Sequence, residues 1–188
     1  MSACSDDNDD DISITEGVLM VDIPADTGGV SGGPPGQGPP PVFTYVDLET
    51  QTIVTDPNST QWDLAFASTT ILTNSGISGD GTGGAIVLDT PFAELEAAAT
   101  TGYAIDTDTL LAVPFGSGNG WYNYDFRTNI VSPIPNKTIL VRSGDGGSYA
   151  KVEMLNYYRG NPDMTTEAFI NEETRPRNRY YTIRIYNF

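Results

Sequence analysis

Residues 136–158, NKTILVRSGDGGSYAKVEMLNYY, constrain what this chain can fold into more than any other stretch. Positions 138–142 form a β-branched and aliphatic run, 143–148 carry glycine-rich turn chemistry, and 149–158 alternate apolar with polar residues. Two such runs joined by a short glycine-containing segment predict a β-hairpin. On the second strand Ala150, Val152 and Met154 share one face while Lys151 and Glu153 take the other, the period of two that marks a half-buried strand. The hairpin is expected at the centre of a sheet on which the other segments pack.

Several other segments read as strands. Residues 12–23 alternate weakly through Ile14, Val18 and Met20. Residues 42–48 and 51–55 predict a second hairpin turning at Glu49 and Thr50. Trp62, Leu64 and Phe66 fall on one face of a strand, and 68–73 continue as an apolar run. Residues 102–106 are extended, 110–115 are apolar, and 180–188 end the chain as an aromatic and β-branched strand. Residues 90–99 are the clearest helix: Thr90 as cap, Pro91 at the first helical position, Glu94 and Glu96 near the positive end of the dipole, Phe92 and Leu95 toward the sheet. Residues 164–170 predict a brief helix or an irregular piece. The expected fold is mainly β, with antiparallel or mixed strands, in a single domain over 14–188 with one or two short helices.

In residues 74–84 Gly79, Gly81 and Gly84 match G-x-G-x-x-G, but the next residues, 85–88, read as a strand. A dinucleotide site needs a helix N-terminus there, so the glycines are read as a flexible loop or bulge. Residues 26–41 hold six glycines and five prolines, a composition that disfavours helix and central strand and predicts a long surface loop.

The charge is acidic and uneven. Asp and Glu number 25 against 9 Lys and Arg, and no basic residue precedes Arg127. Such a surface repels phosphate backbones, so nucleic acid is not an expected partner. The chain has no histidine, which removes the usual proton shuttle and the commonest metal ligand. Its single Cys4 precludes an intrachain disulfide. No apolar run reaches the roughly 20 residues of a membrane-spanning helix. Paired carboxylates remain a conceivable catalytic device, with Asp63, Asp106, Asp125 and Asp145 available, but no spacing singles out a pair, so no catalytic residue is assigned.

The densest aromatic cluster is Trp121, Tyr122, Tyr124 and Phe126, directly after the glycine-rich segment 116–120. As a strand it puts Trp121 and Asn123 on one face and Tyr122, Tyr124 and Phe126 on the other. Two readings stand: the rings pack in the core, or one face lines a cavity.

Two resemblances add to this. Ala3 and Cys4 followed by five aspartates in residues 6–11 resemble a bacterial lipobox with the surface-export signal of Bacteroidetes lipoproteins. It implies that Cys4 is the acylated first residue, that 1–13 form a flexible acidic tether, and that the sequence starts near the cleavage point. The WDLAF segment at 62–66, the glycine-rich stretch 74–85, Gly102-Tyr103 and above all residues 136–162 resemble the HmuY-like family of Bacteroidetes lipoproteins. The resemblance runs from about residue 42 to the C-terminus.

That resemblance implies a non-enzymatic, surface-anchored haem-binding protein of the outer membrane. Such a protein serves iron acquisition and passes haem to a TonB-dependent receptor, with membrane attachment only through the lipid. It places the pocket at Tyr103, Trp121, Tyr122, Tyr124, Phe126 and Met164. Characterised members use a pair of His or a pair of Met as axial ligands from the region that is 91–135 here. This chain has neither type there, and Phe126 stands near one such position. Tyrosine can hold haem iron, which makes Tyr122 or Tyr124 the possible ligand. Met20 and Met154 are read as packing residues. The alternative is the same anchored fold with a non-haem partner: a glycan, a peptide or a receptor subunit.

Overall fold

A computed structural model describes residues 13–28 and 39–188 of the chain. Cys4, the acidic tether and most of the 26–41 loop lie outside the described residues. In chain order the strands are β1 (Val18–Pro24), β2 (Thr44–Asp47), β3 (Thr52–Val54), β4 (Leu64–Ala67), β5 (Thr70–Thr73), β6 (Gly84–Leu88), β7 (Tyr122–Asp125), β8 (Ile130–Pro133), β9 (Thr138–Arg142), β10 (Tyr149–Tyr158) and β11 (Asn178–Asn187). Among the described residues helix is confined to a 3-10 turn at Phe92–Glu94 and one α-helical turn, α1 (Glu167–Ile170), capped by the Thr166 hydroxyl, which accepts from the Phe169 N–H.

The protein is mainly β. A five-stranded sheet runs β1-β11-β10-β9-β6, a four-stranded sheet runs β3-β2-β4-β5, and β7 with β8 makes a separate ribbon; every strand pairing is antiparallel. The hairpin of β9 and β10 sits centrally, with Ala150 opposite Val141 and Val152 opposite Ile139. Its turn closes because Ser143 N–H donates to Ser148 O and the Asp145 carboxylate accepts from the Ser143 hydroxyl and the Gly147 N–H. Toward the end of β10 the register slips at Asn156, whose side-chain oxygen accepts from the N–H groups of Tyr157 and Tyr158. The two larger sheets meet through aromatic rings, Phe66 of β4 lying 4.8 Å from Tyr181 of β11. One buried cluster runs from Ile23 through Val46, Phe66, Trp121 and Val152 to Ile185.

Four local expectations are corrected. Lys151 was expected on a solvated face, yet it has no exposed surface. Its ammonium donates to the Phe92 carbonyl at 2.7 Å and the Leu95 carbonyl at 2.8 Å, and lies 4.2 Å from the centre of the Phe92 ring. Burial pulls its pKa down.

The same contact explains why the helix over 90–99 shrinks to one 3-10 turn. The carbonyls a longer helix would pair internally are turned to Lys151, and Leu95 is extended. Thr90 makes no side-chain cap; its carbonyl accepts from the Thr138 hydroxyl instead. Only Phe92 of that stretch is fully buried, so no apolar stripe rewards further turns.

The glycine-rich loop after β5 is packed rather than flexible. Buried Asn74 donates to Ser59 O and Trp62 O and accepts from Gly81 N–H, and a side chain at Gly81 would collide with the Gly144 carbonyl. Trp62 precedes β4 instead of belonging to it; its indole N–H donates to Pro57 O and its ring packs on Tyr45.

Candidate functional site

The segment between the 3-10 turn and β9 carries little sheet pairing, so side-chain and turn hydrogen bonds must satisfy its backbone. Buried Asp106 anchors its first part. One carboxylate oxygen accepts from Thr73 N–H at the end of β5, the other from Ala112 N–H at 2.7 Å. The loop between them closes on itself, with Thr107 N–H donating to Leu110 O and Leu110 N–H to the Thr107 hydroxyl. Ala112 and Val113 are then buried, while Leu110 and Phe115 are left 73% and 61% exposed.

Beside this loop lies an open groove of about 660 Å³, walled by Ile77, Leu110, Leu111, Pro114 and Phe115 with Thr107, Asp108, Thr109 and Asn119 on its rim. The loop over 116–120 connects groove to ribbon. Gly118 N–H donates to Tyr122 O, and the Ser117 hydroxyl accepts from Tyr124 N–H at 2.8 Å.

The structure divides the residues that sequence reasoning grouped together. Trp121 and Tyr122 are buried, their rings 4.9 Å apart, with Trp121 also against Tyr157 and Tyr181 and its indole N–H donating to Thr69 O. They root the ribbon in the core. Tyr124 and Phe126, at the far end of β7 and in the turn beyond it, are exposed. The Tyr124 hydroxyl donates to the Asn129 side chain at 2.8 Å, and the Arg127 guanidinium sits 5.7 Å from the Phe126 ring centre.

Tyr103 lies elsewhere, its segment tied to β6 by the bridge of Ala85 with Ala104. Its ring packs on Tyr149 beneath Arg142, and its hydroxyl donates to Ala99 O. Burial raises the Tyr103 phenol pKa, which disfavours the phenolate that would bind ferric iron. Met164 is half-buried against the core.

A haem needs an axial donor, a flat apolar surface and a cation for its propionates. The groove supplies only the second, because its lining holds no His, Met, Cys or Tyr and no basic residue. The ribbon end holds a phenol, a ring and a guanidinium, so the one donor it could offer a haem iron is the Tyr124 oxygen. No group of three or more His, Cys, Asp or Glu among the described residues is placed to hold a metal ion. Sequence reasoning missed the groove. Its only trace was the apolar run at 110–115, because alternation cannot show which apolar residues a loop leaves outside.

No curated protein matches the chain. A family model described as HmuY protein matches residues 41–170, more than half of the chain and all of the segment from β2 to α1, so the chain belongs to the HmuY family, one associated with haem binding.

Proposed function

We propose that this protein binds haem, or a close tetrapyrrole relative, at the outer end of the β7–β8 ribbon. The observation that carries this reading is the exposed trio of Tyr124, Phe126 and Arg127 in a chain of this family. Tyr124 would give ferric iron an oxygen ligand, Phe126 would cover part of the macrocycle, and Arg127 would pair with a propionate. Trp121 and Tyr122 serve this site from the core by fixing the root of the ribbon. The bound haem is cargo for transfer rather than a catalyst. The acidic segment around Cys4 supports lipid anchoring at the outer-membrane surface, where the cargo would pass to a TonB-dependent receptor for iron acquisition.

Titration of the purified protein with hemin tests this. A saturable Soret shift is expected, with Tyr124→Phe removing the phenolate charge-transfer band and weakening binding by about tenfold, the size of one lost charge-assisted contact. No spectral change at micromolar hemin would overturn it.

One observation favours a second reading, a non-haem ligand on the same anchored fold: the His or Met pair expected of haem binders in this family does not occur between residues 91 and 135. Recovery of the protein with an outer-membrane receptor under haem-free conditions, together with a silent hemin titration, would support that reading.

A further inference from the structure

The groove beside the 107–115 loop is not used by the ribbon site, and its composition points to a ligand of a different charge. We propose that it is a separate binding site for amphiphilic organic cations: small molecules with an apolar aromatic or aliphatic body and a permanent positive charge.

Three observations converge. First, Ile77, Leu110 and Phe115, 68%, 73% and 61% exposed, gather around one depression of about 660 Å³. Single exposed apolar residues are ordinary, but three large ones around a concavity of drug-like size mark a binding surface.

Second, the site is pre-shaped. Asp106, at the start of the loop, accepts from the Ala112 N–H within it and from the Thr73 N–H at the end of β5, which ties the loop to the sheet, and a side chain at Gly120 would collide with the Pro114 carbonyl. A ligand therefore meets walls already in place and loses less affinity to ordering them.

Third, the electrostatics are one-sided. Asp108 lies on the rim, and a smaller polar depression of about 210 Å³ shares Ile77 with the groove and is lined by Asn58, Ser78 and Asp80. Neither lining contains a basic residue, and none occurs anywhere in the sequence before Arg127. A carboxylate-bearing ligand would desolvate beside like charge with no partner. A cation gains the acidic potential and the face of the Phe115 ring.

The inference does not rest on haem binding, because the two sites share no residue. Tetraphenylphosphonium and tetraphenylborate, matched in shape and opposite in charge, test it by calorimetry on the full chain. At low ionic strength the cation is expected to bind on the order of tenfold more tightly than the anion. Added salt should narrow the gap, and Asp108→Asn should narrow it by about threefold. Leu110→Ser and Phe115→Ala, both at exposed positions, should each weaken the cation by about tenfold. Hemin titrated against protein saturated with the phosphonium should behave as it does alone. Equal affinity for the two ions, no binding of the cation at millimolar concentration, or binding indifferent to both Leu110→Ser and Phe115→Ala would overturn the proposal.

Discussion

Asp63 shows how much a single residue can hold. Its two carboxylate oxygens each accept a backbone N–H at 2.8 Å, one from Leu48 in the turn just after β2 and one from Gly144 in the central hairpin turn, so one side chain ties the margins of two sheets together. Burial pushes its pKa up from 3.8 to about 6, against the lowering effect of those two hydrogen bonds. With the folded pKa above the unfolded one, the native state binds the extra proton between about pH 4 and 6, so stability rises as pH falls through that window. Asp125, Asp145 and Asp163, held below 3.8 by hydrogen bonds, act oppositely and only at lower pH, so the windows separate. Urea unfolding at pH 7 and pH 4.5 should show a gain on the order of 2 kcal/mol. Asp63→Asn should remove most of that gain and, by facing an amide N–H toward a backbone donor, cost about 2 kcal/mol. A pH slope unchanged by the substitution would exclude Asp63 as its source.

At the scale of elements, the 3-10 turn at Phe92–Glu94 depends on a residue far from it in sequence. Lys151 in β10 donates to both carbonyls that bracket the turn, and its chain carries the cation beneath the Phe92 ring. Lys151→Met keeps the apolar stem, removes the ammonium from both carbonyls and leaves the Phe92 carbonyl only its 3.4 Å bond from the Leu95 N–H. It should cost about 2–4 kcal/mol, with amide exchange quickening across 92–95 while β9 and β10 stay protected. Uniform loss of protection would mean that the lysine supports the whole sheet instead of this turn. The ribbon shows a similar dependence. Val131 N–H donates to the Tyr158 hydroxyl of β10 and the Trp121 ring packs on Tyr157 and Tyr181, so the ribbon holds its place through side chains of the main sheet and core. The first strand of the ribbon was readable from its own pattern; β8 was not singled out, and neither was the ribbon's detachment from both larger sheets.

For the whole molecule, charge sets the conditions under which the fold is stable. With a formal net charge of −16 and every basic residue at or beyond Arg127, the N-terminal two thirds repels itself in the compact state. Only three ion pairs are seen among the described residues, Lys137 with Asp89, Arg179 with Asp26 and Arg184 with Glu153. Raising sodium chloride from about 10 to 150 mM shortens the screening length from about 30 to 8 Å and should raise the melting temperature by a few degrees. A fall in melting temperature would show that the ion pairs outweigh the repulsion.

Most of the strands, the central hairpin, the helix-poor class and the family were legible in the sequence, because alternation, turn chemistry and motif order are local properties of the chain; β8, four residues long and ending in Pro133, showed no such pattern. What the tertiary structure alone decided were the outcomes that depend on what covers a surface. Lys151 was buried by a segment some sixty residues away, the 90–99 helix was reduced by that same contact, and Asn74 locked a loop that composition alone called flexible. The aromatic run at 121–126 is the plainest case. Its four rings are equivalent to any count of residues, yet the sheets enclose Trp121 and Tyr122 and leave Tyr124 and Phe126 outside, because the ribbon projects beyond the core at its far end. A sequence states which side chains favour burial; only the packed chain determines how many of them find cover.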